Sequence, residues 1–222
     1  MGALPQGGSR MQAIAEAFES GGGWMYVIAL TSVIALGIIV ERFIFLFFKY
    51  NINANAFMAQ IQKLVMANQI DKAIKLCNAS KAAALPKVIK AGLTRANKGE
   101  IEISNAIEEA TLEVVPVVQK RTPTLGGVAN VATLLGLLGT IVGLIQAFAA
   151  LESAAPDQRA AALAKGISVA MNTTAFGLIV AIPAMTAQMF LTTVTTKILN
   201  EIDQYSVKLE NLLVSRYRAG GA

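Results

Sequence analysis

The stretch Ala129-Asn-Val-Ala-Thr-Leu-Leu-Gly-Leu-Leu-Gly-Thr-Ile-Val-Gly-Leu-Ile-Gln-Ala-Phe148 decides the fold. It lies in a run, Thr122 to Leu151, that contains no charged side chain. A helix crosses the hydrocarbon of a bilayer in about 20 apolar residues, so this run spans a membrane with some length to spare. At helical spacing, one face carries Ala129, Thr133, Gly136, Thr140, Gly143 and Ala147, all small and two of them hydroxylated. Gly139 and Gly143 add a GxxxG pair. Lipid tails are as apolar as leucine, so helices associate in a bilayer where small residues let backbones approach. The opposite face is Leu, Ile and Val, which suits lipid or larger neighbours.

A second uncharged run, Gly166 to Thr196, repeats the plan, with Ala170, Thr174, Gly177, Ala181, Ala184 and Gln188 on one stripe. Two readings of the stripes stand side by side. Both are packing seams, each threonine bonding a carbonyl of its own helix; or Thr140 and Thr174 face a shared polar path. The matching of the two stripes favours the path. Pro183 in the second run removes one helical hydrogen bond, which marks a bend or a polar lining.

The N-terminal side supplies another span, residues 24–48. Trp24 and Tyr26 mark its outer end and Lys49 and Tyr50 its inner end, as interfacial residues do. Glu41 and Arg42 interrupt the apolar run. They form either a functional charge pair or interfacial ion pairs. Being sequence neighbours, they point different ways and each is expected to pair with another helix or subunit. Residues 1–23 read as an interfacial amphipathic helix broken by Gly21-Gly22-Gly23, with no cleaved signal.

Between the first and second spans, residues 49–121 are basic and carry helical apolar stripes. One is Phe57, Ile61, Leu64 and Val65, another Ile103, Ala106, Ile107, Ala110 and Val114. The last helix is expected to run into the second span with kinks at Pro116 and Pro123. Cys77, on an apolar face, reads as a buried thiol. Lys and Arg concentrate on cytoplasmic segments, which makes 49–121 cytoplasmic, 152–165 a periplasmic loop, and 166–196 the third span. Residues 197–222 then form a cytoplasmic helix and tail, with Ile198, Ile202, Tyr205, Leu209 and Leu212 as its apolar stripe. The N-terminus is outside. The fold class is an all-α integral membrane protein with three transmembrane helices and long cytoplasmic helical extensions.

The chemistry of the 222 residues is restricted. There is no histidine, a single cysteine, and 55% of the chain is hydrophobic. Metal sites, disulfides and Ser-His-Asp catalysis are not expected, nor is any cofactor. No P-loop sequence occurs. The net charge of +5 comes from the segment between spans rather than from a basic, aromatic-interleaved patch, so nucleic acid is not an expected partner. An enzyme is not expected.

Ala132 to Phe148 and Gly166 to Ala184, quoted in full as ATLLGLLGTIVGLIQAF and GISVAMNTTAFGLIVAIPA, resemble the second and third spans of the MotA/TolQ/ExbB proton channel family, closest to its TolQ/ExbB branch. Glu41-Arg42, the three-span topology and the large cytoplasmic insertion also fit. The resemblance implies a homopentamer in the cell inner membrane. Its pore holds the single-span helices of a dimeric ExbD/TolR-type partner bearing a membrane Asp. Proton motive force would then drive TonB- or TolA-like proteins or a gliding apparatus. The family's pore threonines correspond to Thr140 and Thr174, with Thr133 and Thr173 beside them. Gly136, Gly139, Gly143, Gly177 and Pro183 pack and shape the helices.

One position departs. The family's glutamate early in the third span is Val169 here. Hydroxyls do not titrate near neutral pH, so the ionisable stop falls to the partner's Asp. Two alternatives follow from that departure: a non-conducting pentameric scaffold, and a sodium-driven variant using Thr173 and Thr174.

Overall fold

In a computed structural model of the chain, the described residues are 23–50, 52–80, 83–153 and 155–220. The amphipathic helix expected within residues 1–23 lies almost wholly outside them. The described chain is helical and contains no strand. Helix α1 is Gly23–Ile44 and continues as a π-helical segment, Phe45–Tyr50. Then come α2 (Ala54–Met66), α3 (Ile70–Ala79), α4 (Ala84–Thr94), α5 (Glu100–Gln119), α6 (Thr122–Ser153) and α7 (Arg159–Gly220). Three stretches are long and apolar enough to cross a membrane, within Gly23–Phe48, Glu100–Ser153 and Arg159–Arg218.

Two boundaries differ from expectation. The helix before the second span does not run straight into it. It continues through Pro116 and stops at Gln119; Arg121 takes a φ of +61°, and α6 starts afresh at Thr122. Pro123 therefore sits in the first helical turn, where a missing N–H costs nothing. It starts a helix rather than kinking one. At the other end, α7 begins at Arg159, inside the stretch read as a loop. Ala160, Ala161, Ala162 and Ala164 explain this, since alanine has the best helix propensity.

The chain divides after Ile39, Pro123 and Gln188 into two compact units. In the unit built from 40–123 and the end of α7, one apolar core includes Ile61, Ala73, Val88, Ile89, Leu93, Ile103, Ile107, Ile202 and Leu209. The α7 stripe of Ile198, Ile202, Tyr205 and Leu209 is buried in this core, joined by Leu213. Leu212, placed on that stripe by spacing, is only partly buried. At Gly92 an added Cβ would meet the Ile107 side chain at 2.8 Å and Leu209 at 3.1 Å, so glycine permits the close approach of α4 to α5 and α7. Asn53 caps α2 by accepting the Ala56 N–H at 3.1 Å. The Tyr205 hydroxyl donates to Asn55 Oδ1. Cys77 is buried, and loss of solvent pushes its thiol up to about 11.

Candidate functional site

In the other unit, α6 and the first half of α7 lie antiparallel along a seam of the smallest residues in the chain. A Cβ on Gly143 would meet Ala170 Cα at 3.1 Å, and one on Gly136 would meet Gly177 Cα and the Thr173 carbonyl, both at 3.2 Å. A Cβ on Gly139 would strike the Thr173 side chain at 2.7 Å, and one on Gly177 the Ala132 carbonyl at 2.8 Å. Ala147 packs directly over Gly166. At Gly136, Gly143 and Gly177 the atoms met include backbone that cannot swing away, and at Gly139 they belong to the Thr173 side chain, so the packing role of Gly136, Gly139, Gly143 and Gly177 has a steric cause.

The seam runs along Ala129, Ala132, Gly136, Gly139, Gly143 and Ala147 of α6, all buried. Two members differ from the stripe read by spacing, which has Thr133 and Thr140 in place of Ala132 and Gly139. On α7 the buried line is Ala170, Thr173, Gly177, Ala181 and Ala184, with Thr173 in place of Thr174. The smaller residue of each adjacent pair on α6 takes the contact, and the hydroxyl is left beside it.

At about 100° per residue, Thr133 and Thr140 fall on one side of the α6 seam, Val142 and Gln146 on the other. On α7, Thr174 and Val169 likewise fall on opposite sides. Val142, Gln146 and Val169 line a cavity with Trp24 and Val27 of α1. Thr133, Thr140 and Thr174 therefore share the flank turned away from that cavity. With Gly143 against Ala170 and Gly136 against Gly177, Thr140 and Thr174 stand within about one turn of the same depth. Both are partly exposed.

Their hydrogen bonds differ. Thr140 donates to the Leu137 carbonyl of its own helix at 2.5 Å, and Thr133 to Ala129 at 3.2 Å. Thr174 donates across the seam to the Gly136 carbonyl at 3.1 Å. Thr173 is 1% exposed and donates to Ala170 at 2.8 Å, buried against Gly139. Expected on the ion path, it is a seam residue in this chain, because the crossing of α6 and α7 falls on its side of the helix.

The charge pair at the end of the first span resolves into separate contacts. Glu41 accepts from Arg121, the residue at the break before α6. Arg42 is 3% exposed, and its Nε and one terminal nitrogen have no hydrogen-bond partner among the described residues. Arg121 was not singled out by sequence; its left-handed φ has no signature in an arginine. Pro183 lies inside α7, which continues through it. Among the described residues no group of three His, Cys, Asp or Glu could hold a metal.

Three apolar helices, two of them zipped by glycine and alanine with hydroxyls along one flank, define a polytopic helical membrane protein. The profile of the MotA/TolQ/ExbB proton channel family matches residues 80–204, more than half the chain, and the protein belongs to that family. It is 29% identical over 157 residues to a putative biopolymer transport protein, ExbB-like 3, of Synechocystis sp., covering 69% of this chain and 73% of the relative. It is 34% identical over 118 residues to a putative ExbB homologue of Methanothermobacter thermautotrophicus, covering 53% of this chain and 40% of the relative. To the Tol-Pal system protein TolQ of Haemophilus influenzae it is 38% identical over 90 residues, or 40% of this chain and 38% of that one.

Proposed function

We propose that this chain is the channel-forming stator subunit of an inner-membrane motor. Five copies surround a dimeric partner whose single span carries an aspartate. Protons cross on that carboxylate, and the resulting motion of the partner drives periplasmic or outer-membrane machinery of the TonB, Tol or gliding kind. The segment between spans one and two is cytoplasmic, and the N-terminus is periplasmic. No enzymatic step is assigned.

The observation that carries this reading is the shared flank of Thr133, Thr140 and Thr174. The uncharged runs of α6 and α7 hold no ionisable group, so they offer hydroxyls for water and nothing that stores a proton. A proton crossing the bilayer needs a titratable group; Glu41 of the first span is engaged by Arg121, so the carboxylate is assigned to a second polypeptide. Exposed Ile141, Ile145, Phe148, Ile179 and Ile182 supply apolar surface for lipid and for neighbouring copies.

The test is proton flux into vesicles holding the chain with its partner. Thr140→Val and Thr174→Val are expected to lower flux while the complex still assembles. Unchanged flux in both would remove the hydroxyl role.

Val169 favours a second reading, a scaffold that assembles without conducting. Here Val169→Glu discriminates: flux gained by a silent complex supports the scaffold, and flux already present in the native complex excludes it. The sodium variant loses one of its two hydroxyls, since Thr173 is sealed in the seam.

A further inference from the structure

Two cavities in the unit that holds the α6–α7 seam adjoin. One of about 300 Å³ lies against Trp24, Val27 and Val142, and another of about 230 Å³ against Ala162 and Lys165. They share Gly143, Gln146 and Val169, so they form one cleft that runs between the helices. Its walls are hydrocarbon and bare glycine backbone. Its uncharged polar side-chain groups are the Gln146 amide and the Trp24 indole N–H, and Lys165 stands at one end.

Water is a poor occupant of most of this cleft. A held water needs two to four polar partners, and along the Trp24, Val27, Val142 and Val169 walls the side chains offer one, the indole N–H of Trp24. Protein side chains of the described residues do not fill it either. An apolar chain fits the walls, and Lys165 and Gln146 fit the head of such a chain. Lys165 is the last charged residue before the uncharged run from Gly166 to Thr196, which puts its ammonium at headgroup level. Ala147 packs over Gly166 in the antiparallel register, so Gln146 lies two residues, about 3 Å at 1.5 Å per residue, deeper than Lys165. An ammonium at the surface and an amide a few ångströms below match a phosphate and the ester carbonyl beneath it.

We propose that this cleft binds one acyl chain of an anionic phospholipid, with the phosphate on Lys165 and a glycerol ester carbonyl accepting from the Gln146 amide. The site lies on the flank opposite the hydroxyls, and it stands whether or not the complex conducts. A lipid lodged there would be a fixed component of the packing between α1 and the α6–α7 pair, rather than bulk solvent.

The full-length chain, purified in mild detergent, would be washed and then offered phosphatidylglycerol or phosphatidylethanolamine, with retained lipid counted by native mass spectrometry. The expected result is phosphatidylglycerol retained at detergent levels that strip phosphatidylethanolamine. Lys165→Glu should lower that retention at least tenfold, and Lys165→Arg should restore it. Val169→Phe should fill the cleft and expel lipid, while Val131→Phe on the exposed face of α6 should not. Lys165 is exposed, so its variants test the site even where Val169→Phe misfolds. Equal retention of the two lipids, no retained lipid, or retention indifferent to Lys165→Glu would overturn the proposal.

Discussion

The Thr174 hydroxyl donates a 3.1 Å hydrogen bond to the main-chain carbonyl of Gly136 on the facing helix. That carbonyl lies in the middle of α6 and has a second lone pair to spare. The bond forms because Gly136 has no side chain to hold α7 away. Thr174→Val keeps the shape and removes the bond. Interhelical side-chain bonds in bilayers average about 0.6 kcal/mol and reach about 1–2 kcal/mol. Thr174→Val should cost that much in reversible unfolding in bicelles, whereas Thr140→Val, whose bond is local, should cost less.

The seam should be intolerant of bulk where its neighbours are backbone. Gly136→Val and Gly177→Val should each destabilise by about 1–3 kcal/mol, the usual cost of overpacking. Gly37→Ala and Gly127→Ala, where an added Cβ meets nothing within 4 Å, should be silent or slightly stabilising. Thermal unfolding followed by circular dichroism in detergent checks the contrast.

Three helices able to cross a membrane were legible in the charge-free runs. The seam was legible only to within one residue. Steps of three and four both keep a helical stripe, so Ala129-Thr133-Gly136-Thr140 and Ala129-Ala132-Gly136-Gly139 are equally periodic. Side-chain volume separates them: Ala132 and Gly139 are smaller than Thr133 and Thr140, and the closest approach takes the smaller residue. The GxxxG pair of Gly139 and Gly143 already carried that signal. Glu41's partner was not legible, because Arg121 is 80 positions away and reaches it through a backbone turn that its own identity disfavours.

Glu41 and Arg121 are 34% and 48% exposed at their side chains. A pair this open is screened, so a double-mutant cycle with Glu41→Gln and Arg121→Gln should give a coupling of about 0.2–1 kcal/mol that shrinks with added salt. Stability from urea titration at low and high salt measures it.

Burial raises the Cys77 thiol from 9.0 to about 11, so the folded chain holds it neutral at physiological pH. The sign follows from the thiolate being the disfavoured form. The folded state's advantage is complete below about 9 and fades as pH climbs toward about 11. Maleimide labelling at pH 8 should be slow in the native protein and fast after unfolding in SDS. Cys77→Ser should lower stability by burying a hydroxyl in an apolar core.

The central claim is that α6 and α7 bring hydroxyls but no acid, so conduction depends on a carboxylate from a second polypeptide. The most direct measurement is proton uptake by vesicles under an imposed potential, for the chain alone, with its single-span partner, and with that partner's membrane Asp changed to Asn. The account predicts uptake only in the second preparation. Uptake by the chain alone, or undiminished uptake with the Asn partner, would contradict it.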